Sequence, residues 1–329
     1  MLKMKWMLLI ALFSHCNKNE PVASGNNREE NKTIQTLLTM NDNVGDIVSH
    51  RAFRGFGEML LPWENNSSYY NTSLKDVGSL MPYHGNVRPE IVVSSLNHMM
   101  NEVNSGKTIF YDFYSDKQKQ QDPSMKQTGL FFFRGKPEAP FAIVCPGGGF
   151  SYVGSLHEGF PLAQEISKNE LNAFVIRYRT GSEQRATEDL AAAISYIFRN
   201  AEELDVSTKD YSLWGGSAGA RMIGNIALSG VSAYNGGSFP KPATVVLAYT
   251  GQSSFSAGFP PAFLTVAAND GIANVTTVER RVNNLKAVGI EVEYHRYQTA
   301  GHGFGTGKGT DAEGWMDYAI RFWKRHITN

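Results

Sequence analysis

Trp214-Gly215-Gly216-Ser217-Ala218-Gly219 sets a serine in a G-x-S-x-G pattern, with an apolar run before it and a helical stretch after it. A serine in that context sits on a tight strand-to-helix turn, its hydroxyl pointing away from both elements. The chemistry it suits is nucleophilic attack on a carbonyl; the plainer reading is an ordinary turn. A hydroxyl is a poor nucleophile until an imidazole takes its proton, and the imidazole needs a carboxylate to fix its tautomer. Downstream lie Asp270, in Ala268-Asn269-Asp270-Gly271, and His302, in Ala300-Gly301-His302-Gly303-Phe304-Gly305. The order is Ser…Asp…His, with strand and helix patterns filling each gap. Asp270 is also placed to cap a helix over 275–288.

A tetrahedral intermediate needs backbone N–H groups aimed at its oxyanion, unobstructed by side chains. Pro146-Gly147-Gly148-Gly149-Phe150 follows an apolar strand and offers such groups. Gly148 and Gly149 are the expected donors, with the Ala218 N–H as the other half of the hole. A phosphate-cradling loop is the competing reading, but no G-K-[ST] follows and the spacing does not fit G-x-G-x-x-G. His157 and Glu158 come shortly after. They read either as support or substrate contact beside the oxyanion hole, or as the acidic first turn of a helix. No cluster of His, Cys and carboxylates has metal-ligand spacing, so neither metal nor cofactor is expected. His15, His50, His84, His98, His295 and His326 stand in no catalytic context. Cys145, inside Phe141–Cys145, reads as a small buried hydrophobe, with a nucleophile as the minor alternative.

These side chains need a scaffold, and the hydropathy pattern supplies one. Strands are expected at 108–114, 130–133, 141–145, 173–178, 211–214, 244–248, 262–267 and 292–295. Most are near-continuous apolar runs, as in strands buried on both faces of a parallel sheet. Helical patterns over 187–201, 218–228, 275–288 and 312–324 lie between and after them. The expectation is an α/β fold: a mostly parallel, eight-stranded, doubly wound sheet with helices on both faces. Ligands in such sheets bind beyond the carboxyl ends of the strands, which is where all the motifs above fall. Before residue 107 the text is irregular, apart from one helix opened by Pro89.

The chain has 329 residues, 42% hydrophobic and 19% charged, enough to bury a large core. Lys+Arg and Asp+Glu both number 31, so no basic field exists to hold a nucleic-acid backbone. The longest apolar run, Trp6 to Phe13, falls far short of the roughly 20 residues of a membrane-spanning helix. With Lys3 and Lys5 before it, that run reads as an export signal. Either Cys16 becomes a lipidated N-terminus, anchoring the protein to the cell envelope, or the signal is simply cleaved and the protein is periplasmic or secreted. An uncleaved start is the third reading. The expected divisions are a signal at 1–15, a flexible tether at 16–37, an extension packed on the core at 38–106 and a catalytic domain at 107–329.

Cys145-Pro-Gly-Gly-Gly-Phe150, Gly159-Phe-Pro-Leu162, Trp214-Gly-Gly-Ser-Ala-Gly219 and Gly301-His-Gly-Phe304 together resemble α/β-hydrolase esterases of the acetylxylan-esterase and feruloyl-esterase-like (BD-FAE-like) group. The resemblance covers about 107–326. It implies hydrolysis of small acyl esters, often acetyl groups on plant polysaccharides, with Ser217 as nucleophile, His302 as base and Asp270 as its orienter. Pro146 replaces the histidine that often precedes the three glycines in lipase-like relatives, which weakens the case for lipid substrates. Two alternatives remain: a peptidase of the prolyl-oligopeptidase kind, and a catalytically silent glycan-binding surface protein.

Overall fold

A computed structural model describes residues 37–64 and 66–328. The expected signal, the lipidated Cys16 and the tether up to residue 36 lie outside the described residues. Eight strands form one sheet: β1 (Phe110–Tyr111), β2 (Gly129–Phe133), β3 (Pro140–Cys145), β4 (Asn172–Arg177), β5 (Ser207–Gly216), β6 (Thr244–Ala248), β7 (Ala262–Ala267) and β8 (Val292–Tyr297). Their spatial order is β1-β2-β4-β3-β5-β6-β7-β8. β2 runs antiparallel to both β1 and β4, and every pairing from β4 through β8 is parallel.

Every residue of β2, β4, β6 and β7 is buried, which accounts for their largely apolar text, with Asn172, Arg177, Thr244 and Thr265 the polar residues among them. β8, at the edge, is half-buried along most of its length, and its residue types alternate apolar and polar, as in Val292-Glu293-Tyr294-His295. The expected first strand at 108–114 shrinks to two residues. The Asp112 carboxylate accepts the Tyr114 N–H at 3.3 Å and turns the chain off the sheet, although Phe113 and Tyr114 stay buried.

Helices cover the two faces of the sheet. Phe160–Lys168 packs with Pro89–Asn104 and Trp315–Lys324, and Glu183–Arg199 packs with Ser217–Ser229. Glu183–Arg199 starts earlier than its apolar pattern suggests, because the Ser182 hydroxyl caps it by accepting the Arg185 N–H. Its inner stripe is Ala186, Leu190, Ala193, Ile194 and Ile197, the 3–4 spacing of an amphipathic helix. The last helix begins at Trp315, three residues later than the pattern implied, because Gly314 takes a left-handed conformation immediately before it.

The irregular segment before β1 shares the core of the sheet. Phe53, Leu60, Leu74, Val77, Leu80 and Met81 are buried in the same cluster as the strands. Arg177, at the end of β4 and 1% exposed, donates to the carbonyls of Leu61 at 2.6 Å and Pro62 at 3.3 Å. A buried guanidinium demands such acceptors, so β4 and this segment are tied together where they meet.

Candidate active site

The exits of β3, β5, β6, β7 and β8 lie along one edge, since these strands are parallel and adjacent. β5 ends at Gly216, and Ser217 follows with φ 50, a left-handed conformation that a residue with a Cβ adopts only at a cost. The glycines beside it permit that turn. A Cβ on Gly219 would overlap the Cys145 carbonyl of β3, and one on Gly215 would come within 2.8 Å of Gly219 itself. Strand and helix therefore pass closer than any side chain would allow, and Ser217 is pushed up at the turn between them.

His302 lies in the loop after β8, 7% exposed, with Nε2 3.0 Å from Ser217 Oγ. Its Nδ1 lies 2.8 Å and 3.0 Å from the two carboxylate oxygens of Asp270, whose side chain is fully buried after β7. An ionised carboxylate only accepts, so Nδ1 carries the ring proton and Nε2 is left to accept from the serine hydroxyl. Asp270 Oδ1 also accepts the N–H groups of Ile272 at 2.8 Å and Ala273 at 2.7 Å, which fixes its direction. The cap of the following helix is Asn274, not Asp270.

The glycine loop leaves β3 against the serine: a Cβ on Gly147 would sit 3.0 Å from Ser217 Cβ. The Gly147 N–H donates to Glu158 Oε2 at 2.6 Å. Among the described residues the N–H groups of Gly148 and Gly149 have no hydrogen-bond acceptor. Gly148 and Gly149 have φ 132 and 63, so this loop needs glycine for conformation as well as access. Ala218 lies in the first turn of the helix Ser217–Ser229, where backbone N–H groups lack intrahelical partners.

His157 and Glu158 belong to a π-helical turn, Ser155–Gly159, that runs into the helix Phe160–Lys168. They are 5% and 1% exposed, and both hold loop backbone. His157 Nε2 donates to the Gly303 carbonyl at 2.9 Å, next to His302. Burial lowers the His157 pKa, with the neighbouring His84 ring adding to the effect, to about 4. Burial alone would raise that of Glu158, but His84, His157 and the Gly147 N–H outweigh it and bring it down to about 2.

Three further residues of this site stand in no motif of the sequence. His84 Nε2 lies 3.2 Å from Glu158 Oε1, both side chains buried. Tyr249, directly after β6, sets its ring edge-on to His302 with centroids 5.2 Å apart. Its place at a strand exit was the available clue. Tyr83 stacks on Tyr152 at 5.6 Å and is 43% exposed, with its ring edge 3.0 Å from where a Gly149 Cβ would be. Cys145 is fully buried in β3, where burial pushes its thiol pKa up, away from nucleophile chemistry. Among the described residues no three His, Cys, Asp or Glu side chains converge to hold a metal ion. Among them, too, no helix is long and apolar enough to cross a membrane.

Comparison with known proteins fits this geometry. Residues 134–241, which carry the glycine loop and the G-x-S-x-G turn, match the BD-FAE family model. A stretch of 92 residues is 33% identical to endo-1,4-beta-xylanase B of Butyrivibrio fibrisolvens, covering 26% of this chain and only 14% of that protein. Among solved structures, an α/β-hydrolase enzyme from a Medee basin deep-sea metagenome aligns with TM-score 0.54 at 21% identity. That alignment covers 60% of this chain and 92% of the other. The acetyl ester-xyloside bifunctional hydrolase of Caldicellulosiruptor lactoaceticus aligns with TM-score 0.57 at 18% identity, covering 67% and 97%. The fold is that of the α/β hydrolases.

Proposed function

We propose that this α/β hydrolase is a serine carboxylesterase acting on small acyl esters, acetyl esters of carbohydrates foremost. The observation that carries the reading is the continuous hydrogen-bonded chain from Ser217 Oγ through His302 to Asp270, beside a glycine loop with open amides. Ser217 Oγ attacks the ester carbonyl while His302 Nε2 takes its proton. The amides of Gly148, Gly149 and Ala218 hold the oxyanion, and Asp270 stabilises the imidazolium that forms. As the tetrahedral intermediate collapses, His302 gives the proton to the departing alcohol and an acyl-serine remains. Water, deprotonated by the same imidazole, then releases the acid and restores the serine.

The carbohydrate part of the reading draws on three supports. They are the BD-FAE match, the local likeness to a xylanase and the exposed Tyr83 ring beside the glycine loop, a flat apolar face on which a sugar ring can lie. Export, with Cys16 as a lipid anchor or as part of a cleaved signal, is proposed alongside it from the sequence of residues 1–16. A product-resolved screen of purified protein on acetylated and feruloylated oligosaccharides, with Ser217→Ala as blank, tests the reading. Release of acetate or ferulate by the unmodified protein alone supports it, and no release from any ester overturns it.

A further inference from the structure

Tyr83-His84-Gly85, from the segment before the sheet, makes contact with both loops of the candidate site. On one side the Gly85 N–H donates to the His302 carbonyl at 3.0 Å. On the other, Tyr152, which follows the glycine loop, receives the Tyr83 N–H on its hydroxyl at 3.0 Å and lies 2.8 Å from His84 Nδ1. His84 Nε2 faces Glu158 Oε1 at 3.2 Å, and because an ionised carboxylate only accepts, that nitrogen carries a proton toward it. The other carboxylate oxygen of Glu158 accepts the Gly147 N–H at 2.6 Å. Carboxylate, imidazole and hydroxyl thus stand in the same order as Asp270, His302 and Ser217. Here, however, all three are buried and the carboxylate grips the loop instead of activating a nucleophile.

A run of three glycines has more backbone freedom than any other tripeptide, so the loop alone does not hold its amides in place. An oxyanion donor displaced from its roughly 3 Å contact loses most of its effect on the transition state. Glu158 pins the first amide of the run, and an ionised carboxylate buried this deeply needs its own partner to stay put.

We propose that His84 and Glu158 are positioning residues for ester hydrolysis: His84 orients Glu158, Glu158 fixes Gly147, and the loop thereby presents the Gly148 and Gly149 amides. The segment before the sheet is on this account part of the catalytic apparatus. The inference rests on the esterase reading above.

Its test uses the full chain and p-nitrophenyl acetate. His84→Gln and Glu158→Gln are expected to lower kcat by about 10- to 100-fold, with KM changed less than about twofold, because the loss falls on the transition state alone. The double variant is expected to fall little below the worse single one, since both act through one chain of contacts. A purely structural role would lower the thermal midpoint and leave kcat per folded molecule untouched. Tyr152→Phe removes a single hydroxyl and serves if His84→Gln fails to fold; a kcat lowered severalfold at unchanged KM supports the inference. Unmodified protein that is active, with variants that fold and keep full kcat, overturns this inference alone. Unmodified protein that hydrolyses no ester overturns the esterase reading and this one with it.

Discussion

The Gly85 N–H donates to the carbonyl of His302 at 3.0 Å, so a residue ahead of the first strand holds the candidate base near the end of the chain. Asn86, in a left-handed conformation, adds a second hold, its amide donating to the Ala300 carbonyl at 3.1 Å. Asn86→Asp keeps the residue's tolerance of that conformation and removes the donor, setting a carboxylate against a carbonyl. A stability loss of about 1–3 kcal/mol is expected, read as a lowered urea midpoint at unchanged slope. Unaltered unfolding would show that the contact contributes nothing.

Ser217→Ala tests the nucleophile most directly. Alanine meets the same left-handed backbone as serine, so the fold and thermal midpoint are expected to persist. Turnover of p-nitrophenyl acetate is expected to fall by at least about 10⁴-fold, because nucleophile and base act as a unit. Substantial residual hydrolysis would move the chemistry elsewhere.

Asp270→Asn separates orientation from mere presence. The asparagine oxygen can still accept from Ile272 and Ala273, leaving its NH₂ to face His302 Nδ1. That arrangement forces the ring proton onto Nε2, where it blocks acceptance from Ser217 Oγ. kcat at neutral pH is expected to drop by about 10⁴-fold with the fold preserved. A loss below tenfold would mean Asp270 does not set the tautomer.

Much of this architecture could be read from the text because local chemistry dictates it. β6 and β7 coincide with the runs Thr244–Ala248 and Ala262–Ala267, since a strand buried on both faces is built mainly of apolar residues. Ser217, Asp270 and His302 were legible because each stands in a glycine- or asparagine-rich turn at a strand exit, a context independent of the rest of the fold. His84 was not. It sits in an irregular segment without periodicity, and its value comes from Glu158, a partner that only folding brings to 3.2 Å. The sequence likewise suggested a long first strand, because the buried Phe113 and Tyr114 have strand-like side chains, while the Asp112 turn that removes them from the sheet leaves only a weak trace.

Tyr83→Ala tests the sugar-facing reading. The ring is exposed and its backbone N–H contact to Tyr152 survives truncation, so the fold should tolerate the change. KM for an acetylated xylo-oligosaccharide is expected to rise roughly 5- to 10-fold, the loss of about 1 kcal/mol of ring contact. That for p-nitrophenyl acetate, which has no sugar, should move much less. Equal effects on both esters would assign Tyr83 to ester binding in general, and no effect would remove it from substrate binding.

The buried pair behind the glycine loop predicts how stability responds to acid. His157 is lowered from 6.5 to about 4, so between those values the unfolded chain binds the proton that the folded protein refuses. Stability is therefore lost as pH falls through that window and is not regained below it. Glu158, lowered from 4.5 to about 2, adds a second loss from about 4.5 downward, as the unfolded carboxylate protonates first. Thermal midpoints measured from pH 7 to 3 are expected to decline in two stages. His157→Gln keeps a donor for the Gly303 carbonyl and removes the titrating ring, so the upper stage should flatten while the lower one persists. If the variant and the unmodified protein decline in parallel between pH 6.5 and 4, His157 is not the group responsible.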